Sequence, residues 1–222
     1  MVPTLGNVIA IMLNISPYKS VMQSLNANEM QTNPIPLIIM FLNGVSWWLY
    51  GLLTKNAFVL IPNGVGIIIG CLYLAVCFKL APQKQLIILL MAGMSFLFVM
   101  SSIAFCFDSK DTMGIACQVM LLGLYTSPLS LVYRILKTKS NQGLNISLSF
   151  MQLINGMLWT AYGFMIMDPY QFVPNGIGIG MATLQIMLYF QYNNGKNEDT
   201  LPFTDDGSEP LNEQHKRSNG QK

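Results

Sequence analysis

Pro62-Asn63-Gly64-Val65-Gly66 lies inside a long apolar run, and the chain repeats it as Pro174-Asn175-Gly176-Ile177-Gly178, 112 residues later. Each of these residue types is a poor choice for a plain membrane helix. Proline removes a backbone donor, glycine weakens the helix, and a primary amide is costly to bury without partners. Two such departures at matched positions read as one site built from two halves.

The surrounding composition sets the class. The 222 residues are 52% hydrophobic and 10% charged, with a mean hydropathy of +0.45; an ordinary soluble domain carries about 25% charged residues. No Asp, Glu, Lys, Arg or His occurs in 1–18, 30–54, 56–78, 85–107, 112–133, 140–167 or 169–195. Each gap can house the roughly 17–25 residues needed to cross a bilayer core. The spacing predicts spans over 3–22, 36–53, 58–78, 86–107, 113–134, 148–166 and 172–191, so the chain reads as an all-α polytopic membrane protein. The start, Met1-Val2-Pro3-Thr4, lacks the basic segment of a cleavable signal. Residues 193–222, polar and almost without apolar content after Phe203, are expected to be a disordered tail.

Orientation follows from the short loops. Those after spans 1, 3 and 5 hold Lys19, Lys79, Lys84, Arg134, Lys137 and Lys139, whereas those after spans 2, 4 and 6 hold only Lys55 and Lys110. The first set is expected to be cytosolic, with the N-terminus outside and the tail in the cytosol. Asn14-Ile15-Ser16 and Asn145-Ile146-Ser147 match the glycosylation pattern by chance, since neither is expected to reach the outer side. Cys71, Cys77, Cys106 and Cys117 all fall in apolar runs and read as small packing residues; only Cys106 and Cys117 flank one short loop.

The duplication extends well beyond the opening stretch. Ile15-Ser16-Pro17 aligns with Thr126-Ser127-Pro128, and Asn43-Gly44-Val45-Ser46-Trp47-Trp48-Leu49-Tyr50-Gly51 aligns with Asn155-Gly156-Met157-Leu158-Trp159-Thr160-Ala161-Tyr162-Gly163. Spans 1–3 therefore match spans 5–7. Four spans separate the copies, an even number, so both cross the membrane in the same sense. The predicted fold is two parallel three-helix bundles joined by a linker helix (3+1+3). Its parts are a first repeat over 1–84, the linker over 85–111, a second repeat over 112–192 and the tail over 193–222.

Ser-Pro near one end of spans 1 and 5, Trp-x-x-Tyr-Gly closing spans 2 and 6, and Pro-Asn-Gly-x-Gly opening spans 3 and 7 together resemble the SWEET (MtN3/saliva) sugar transporters. That family is a standard example of parallel repeats related by an axis along the membrane normal. The resemblance covers residues 5–192. It implies passive movement of a mono- or disaccharide, most simply a glucose-like hexose, by alternating access. It also implies sugar contacts at Asn63 and Asn175, a pocket tryptophan at Trp159 with Trp47 as its counterpart, and hinge prolines at Pro17, Pro36 and Pro128. A fourth hinge proline, in span 6, is absent, and Asn145 stands where it would fall. The implied partners are a small-molecule sugar and the lipid bilayer, without nucleic acid and without a cofactor or metal. Homo-oligomers are a family habit, and the Gly66–Gly70 and Gly176–Gly180 spacings fit close packing between chains or within one bundle. The plasma membrane is the expected location, with the Golgi or another internal membrane as the alternative.

The residues themselves support a neutral ligand. An amide offers donors and an acceptor, which suits hydroxyls that do both. Asn43 and Asn155 lie one helical turn before Trp47 and Trp159 on the same faces, placing an amide beside an apolar ring, as the C–H face and polar rim of a pyranose would require. Asn14 and Gln152 read as helix-to-helix contacts, and Trp48 as facing lipid. Leu13 and Leu124 are expected to point inward and set substrate size. Tyr50 and Tyr162 are expected to form an outer gate, with Lys55 and Asp168 able to pair when it closes. No span core carries a carboxylate or histidine, which favours uniport over proton coupling. A few neutral hydrogen bonds at ~1 kcal/mol each point to millimolar affinity. The competing reading is a PQ-loop-type carrier of another small solute, such as a neutral amino acid. Against it, Pro82-Gln83 lies in a loop and not in span 1 or 5. A receptor would not need the doubled polar site, and no metal-ligand cluster, paired carboxylates or activated nucleophile points to an enzyme.

Overall fold

The computed structural model describes residues 1–81 and 84–192. Pro82-Gln83 and the tail from 193 to 222 lie outside the described residues. The rest is helical: α1 (Val2–Ile15), α2 (Tyr18–Ala27), α3 (Pro34–Leu53), α4 (Ala57–Leu80), α5 (Lys84–Cys106), α6 (Lys110–Thr138), α7 (Ile146–Met165) and α8 (Pro169–Gln191). Seven spans result, because α1 and α2 are one span interrupted at Ser16-Pro17. Five helices, α3–α6 and α8, are long and apolar enough to cross a bilayer on their own. The other two spans owe their weaker signal to identifiable features: α1 is cut to 14 residues by the break, and α7 carries Ser147, Ser149, Gln152 and Asn155.

The packing repeats. α4 lies between α1 and α3 in the first half, and α8 between α6 and α7 in the second. Across the two halves, α1 meets α7 and α6 meets α3, a pair of contacts related by the repeat. The linker α5 rests on α3 and α6. Glycines permit the closest approaches: a Cβ on Gly51 would sit 2.9 Å from the Leu60 nitrogen, and one on Gly163 would sit 2.7 Å from the Phe172 nitrogen. Large apolar side chains such as Ile68, Leu72, Ile88 and Phe98 cover the outside, whereas Ser46, Ser149, Asp168, Gln171 and Gln185 are buried. Polar inside and apolar outside is the arrangement that hydrocarbon demands. The amino-terminal face carries residue 1 and the α3–α4 and α7–α8 turns; the opposite, basic face carries Lys19, Lys79, Lys84, Arg134, Lys137 and Lys139.

Helix starts obey the repeat as well. Asn33 caps α3 by accepting from the Ile35 nitrogen at 3.0 Å, and Asn145 caps α7 by accepting from the Leu148 nitrogen at 3.1 Å. Asn56 and Asp168 do the same for α4 and α8. Each of the latter follows a left-handed residue, Lys55 or Met167, both at φ 54°.

Two hinge assignments change here. Pro36 sits in the first turn of α3, behind the Asn33 cap and Pro34. Its missing N–H would have had no intrahelical partner there, so it breaks nothing. Asn145 is the counterpart of Asn33 and holds a capping position; the counterpart of Pro36 is Leu148. The remaining two prolines behave differently from each other. Pro17 interrupts span 1, and the Leu13 carbonyl it would orphan is taken by Ser16, through its backbone nitrogen at 3.1 Å and its hydroxyl at 2.8 Å. Pro128 rides inside the continuous 29-residue α6.

Candidate functional site

A cavity of about 360 Å³ lies between the two bundles, within the roughly 300–1,000 Å³ typical of small-molecule sites. Its wall contains Asn43, Trp47 and Asn63 from the first repeat and Asn155, Trp159 and Asn175 from the second, with Leu13 and Leu124 opposite each other on spans 1 and 5. The fold thus brings all eight predicted ligand-facing residues to one space. Five polar residues join them that were passed over or read differently from spacing alone: Asn14, Ser16, Tyr125, Gln152 and Gln171. Asn14 and Gln152 face the cavity and are not simple helix-to-helix contacts. Asn14 and Tyr125 are repeat equivalents, a relation visible in the alignment of Ser16 with Ser127. None of the described lining residues carries a charge.

The proline of each Pro-Asn-Gly stretch would orphan a carbonyl one turn earlier, at Phe58 and Tyr170. Both are satisfied from the neighbouring span. Gln118 Nε2 donates to the Tyr170 oxygen at 3.1 Å. Asn7, with its amide nitrogen turned toward the carbonyls, donates to the Phe58 oxygen at 2.8 Å and to that of Pro3 at 3.1 Å. Asn7 and Gln118 stand 111 residues apart, the offset of the Ser-Pro motifs. Sequence reasoning missed this pair because it looked for ligand chemistry and not for what a mid-helix proline leaves undone.

One residue on, the amides are anchored alike. Asn63 Nδ2 donates to the Val59 oxygen at 2.7 Å, and Asn175 Nδ2 to the Gln171 oxygen at 2.7 Å. Each amide has a second N–H and its oxygen as further hydrogen-bonding capacity. Asn43 Oδ1 and Asn155 Oδ1, again a repeat pair, are buried without a hydrogen-bond partner. Unsatisfied acceptors of this kind cost ~1–3 kcal/mol each, and a ligand hydroxyl would relieve that cost.

Toward the amino-terminal face an aromatic layer roofs the cavity. Trp47 packs edge-on to Tyr50 and Trp159 edge-on to Tyr162, with ring centroids 5.5 and 5.8 Å apart. The two tyrosines then cross between bundles. Tyr50 donates to the Asp168 carboxylate at 2.8 and 2.9 Å, and Tyr162 donates to Asn56 Oδ1 at 3.1 Å. Each tyrosine therefore grips the capping side chain of the other repeat. Beyond this latch lies a vestibule of about 720 Å³ bordered by Tyr50, Tyr162, Lys55, Asp168, Asp108 and Lys110. Lys55 and Asp168 share that vestibule without forming an ion pair: the carboxylate is 7% exposed and occupied by Tyr50 and by Gln171 Nε2 at 2.7 Å. The repeat explains the miss, since Lys55 corresponds to Met167, and Asp168 corresponds to Asn56. On the basic-face side the wall ends at Met40, Leu148 and the exposed Ser16, at the break in span 1.

Two parallel three-helix repeats closing on a central polar cavity, with a seventh helix as linker, define a polytopic membrane protein of the 3+1+3 class. The family model described as "Sugar efflux transporter for intercellular exchange" (MtN3_slv) matches residues 1–85 and 111–197, and the chain belongs to that family. Its members are transporters and not enzymes. Similar proteins include the bidirectional sugar transporter SWEET7 of Arabidopsis thaliana, 32% identical over 201 residues, covering 85% of this chain and 78% of the relative. Another is the sugar transporter SWEET1 of Rattus norvegicus, 30% identical over 164 residues, covering 71% and 74%. The 3.7 Å structure of a eukaryotic SWEET transporter shares the fold, with a TM-score of 0.70 over 86% of this chain and 95% of that one at 21% identity.

Proposed function

We propose that the protein equilibrates a neutral hexose-sized sugar across its membrane by alternating access, as a low-affinity uniporter. The observation that carries this reading is the cavity itself: charge-free, walled by two pairs of repeat-related amides and two tryptophans, and closed on one side by the crossed latch. The names of its relatives point to the same substrate class. The first repeat (1–84) and second repeat (112–192) move about the linker, with the amino-terminal face outward, the basic face cytosolic and the plasma membrane as location.

In this arrangement the outer side is shut and the cavity reaches the cytosolic side. A sugar enters past Ser16, lays its apolar face on Trp47 or Trp159, and exchanges hydroxyl bonds with Asn43, Asn63, Asn155 and Asn175. Leu13 and Leu124 limit its size. Transport then requires the Tyr50–Asp168 and Tyr162–Asn56 bonds to part while span 1 closes the inner mouth at Pro17. With no carboxylate, histidine or lysine among the described residues of the wall, the cycle moves no proton.

The test is purified protein in liposomes. Labelled glucose is expected to equilibrate without a pH gradient and without changing lumenal pH in weakly buffered vesicles. Amino acids carried in place of sugars would overturn the substrate assignment, and proton movement with the sugar would overturn uniport.

A further inference from the structure

The two halves of the cavity differ at one buried position. Val59 and Gln171 are repeat equivalents, each 2% exposed and each on the wall one turn before Asn63 or Asn175. Where the first repeat has an apolar side chain, the second places an amide, and a buried amide is costly unless partnered. Only half of it is. Gln171 Nε2 donates to Asp168 Oδ2 at 2.7 Å. A carboxylate accepts only, so this bond settles which end of the amide faces Asp168 and turns Oε1 the other way. Oε1 is buried with no hydrogen-bond partner among the described residues. Tyr50 is committed to Asp168, and one N–H of Asn175 to the Gln171 backbone.

We propose that Gln171 is a substrate-contacting residue that determines specificity: a hydroxyl of the bound sugar donates to its Oε1. This rests on the reading that the cavity holds a sugar. One side chain then touches both the cargo and Asp168, the acceptor of the Tyr50 latch. Because Val59 offers nothing equivalent, the contact is one-sided and favours one orientation of the sugar in the cavity. The site selects a hydroxyl donor at one ring position, since a group that only accepts would face the amide oxygen unfavourably.

The test uses the full-length protein in liposomes, with labelled glucose exchange competed by glucose and by 1-deoxy-, 2-deoxy-, 3-deoxy-, 4-deoxy- and 6-deoxyglucose. The wild-type protein is expected to bind one of the five deoxy sugars about three- to tenfold more weakly than glucose, the loss of one neutral hydrogen bond. Gln171→Val, which copies the other repeat, and Gln171→Met, which keeps the side-chain length, are expected to weaken glucose by that factor. Both should compete glucose and that deoxy sugar equally. Asp168→Asn is expected to shift all the sugars together, since the latch is blind to any one hydroxyl. An even wild-type profile, or an unchanged profile in both variants, overturns the contact while leaving sugar transport standing. A wild-type protein that carries no hexose would instead remove the reading beneath it.

Discussion

Toward the amino-terminal end of the cavity the two repeats share their hydrogen-bonding devices, Gln171 against Val59 apart, whereas at the basic end their backbones differ. At the first, three devices occur twice: a proline carbonyl held from the neighbouring span by Asn7 or Gln118, an asparagine folded back on its own helix, and a tyrosine gripping the other repeat's cap. At the second, Pro17 splits span 1 into α1 and α2, while Pro128 leaves α6 unbroken. Identical Ser-Pro dipeptides thus produce a joint in one half and a continuous rod in the other. The difference teaches that matched hydrogen-bonding devices can sit on unlike backbones; under the proposed mechanism the first repeat would supply the moving inner gate and the second the stiffer wall.

The largest effects are expected where the halves match. Asn63→Ala and Asn175→Ala each remove a buried hydrogen-bonding amide, and the ~1–3 kcal/mol at stake corresponds to flux falling about ten- to hundredfold in each. Equal losses in tracer exchange sharpen the comparison; a strong loss in one repeat alone breaks it. The hinges come next and should differ. Pro17→Ala allows span 1 to run through as one helix and is expected to slow exchange several-fold, with Pro128→Ala close to wild type. Equal slowing in both would show that the unbroken α6 bends as much as span 1.

The latch should be intermediate and slightly uneven. Tyr50→Phe removes bonds to a carboxylate, worth ~1.5–3 kcal/mol, whereas Tyr162→Phe removes a neutral bond worth ~0.5–1.5 kcal/mol. Thermal unfolding in detergent is expected to rank Tyr50→Phe as the less stable. The smallest effect falls on the proline clamps. Asn7→Leu and Gln118→Leu each strand one carbonyl, and similar modest drops in melting temperature are expected, with substrate affinity little changed.

The chemistry of this fold was largely legible because it is written twice. A charged-residue map located seven spans, and the doubled Asn63/Asn175, Trp47/Trp159 and Asn43/Asn155 sets converge on one cavity as the alignment implied. What escaped was whatever depends on backbone register at helix ends. Pro36 resembled a hinge until Asn33 proved to be the cap behind which it sits harmlessly. Lys55 and Asp168 looked complementary in charge, yet the repeat aligns Asp168 with Asn56, and Tyr50 claims its carboxylate first. Gln171 was invisible for another reason: a lone glutamine in an apolar run says nothing until Val59 is seen across the axis.

The central claim is that two amides related by the repeat hold one neutral sugar. Labelled glucose exchange by the purified protein in liposomes, compared among wild type, Asn63→Ala and Asn175→Ala at equal reconstituted amounts, tests it most directly. The account predicts proton-independent exchange by the wild type and near-background exchange by both variants. Wild-type rates in either variant would contradict it.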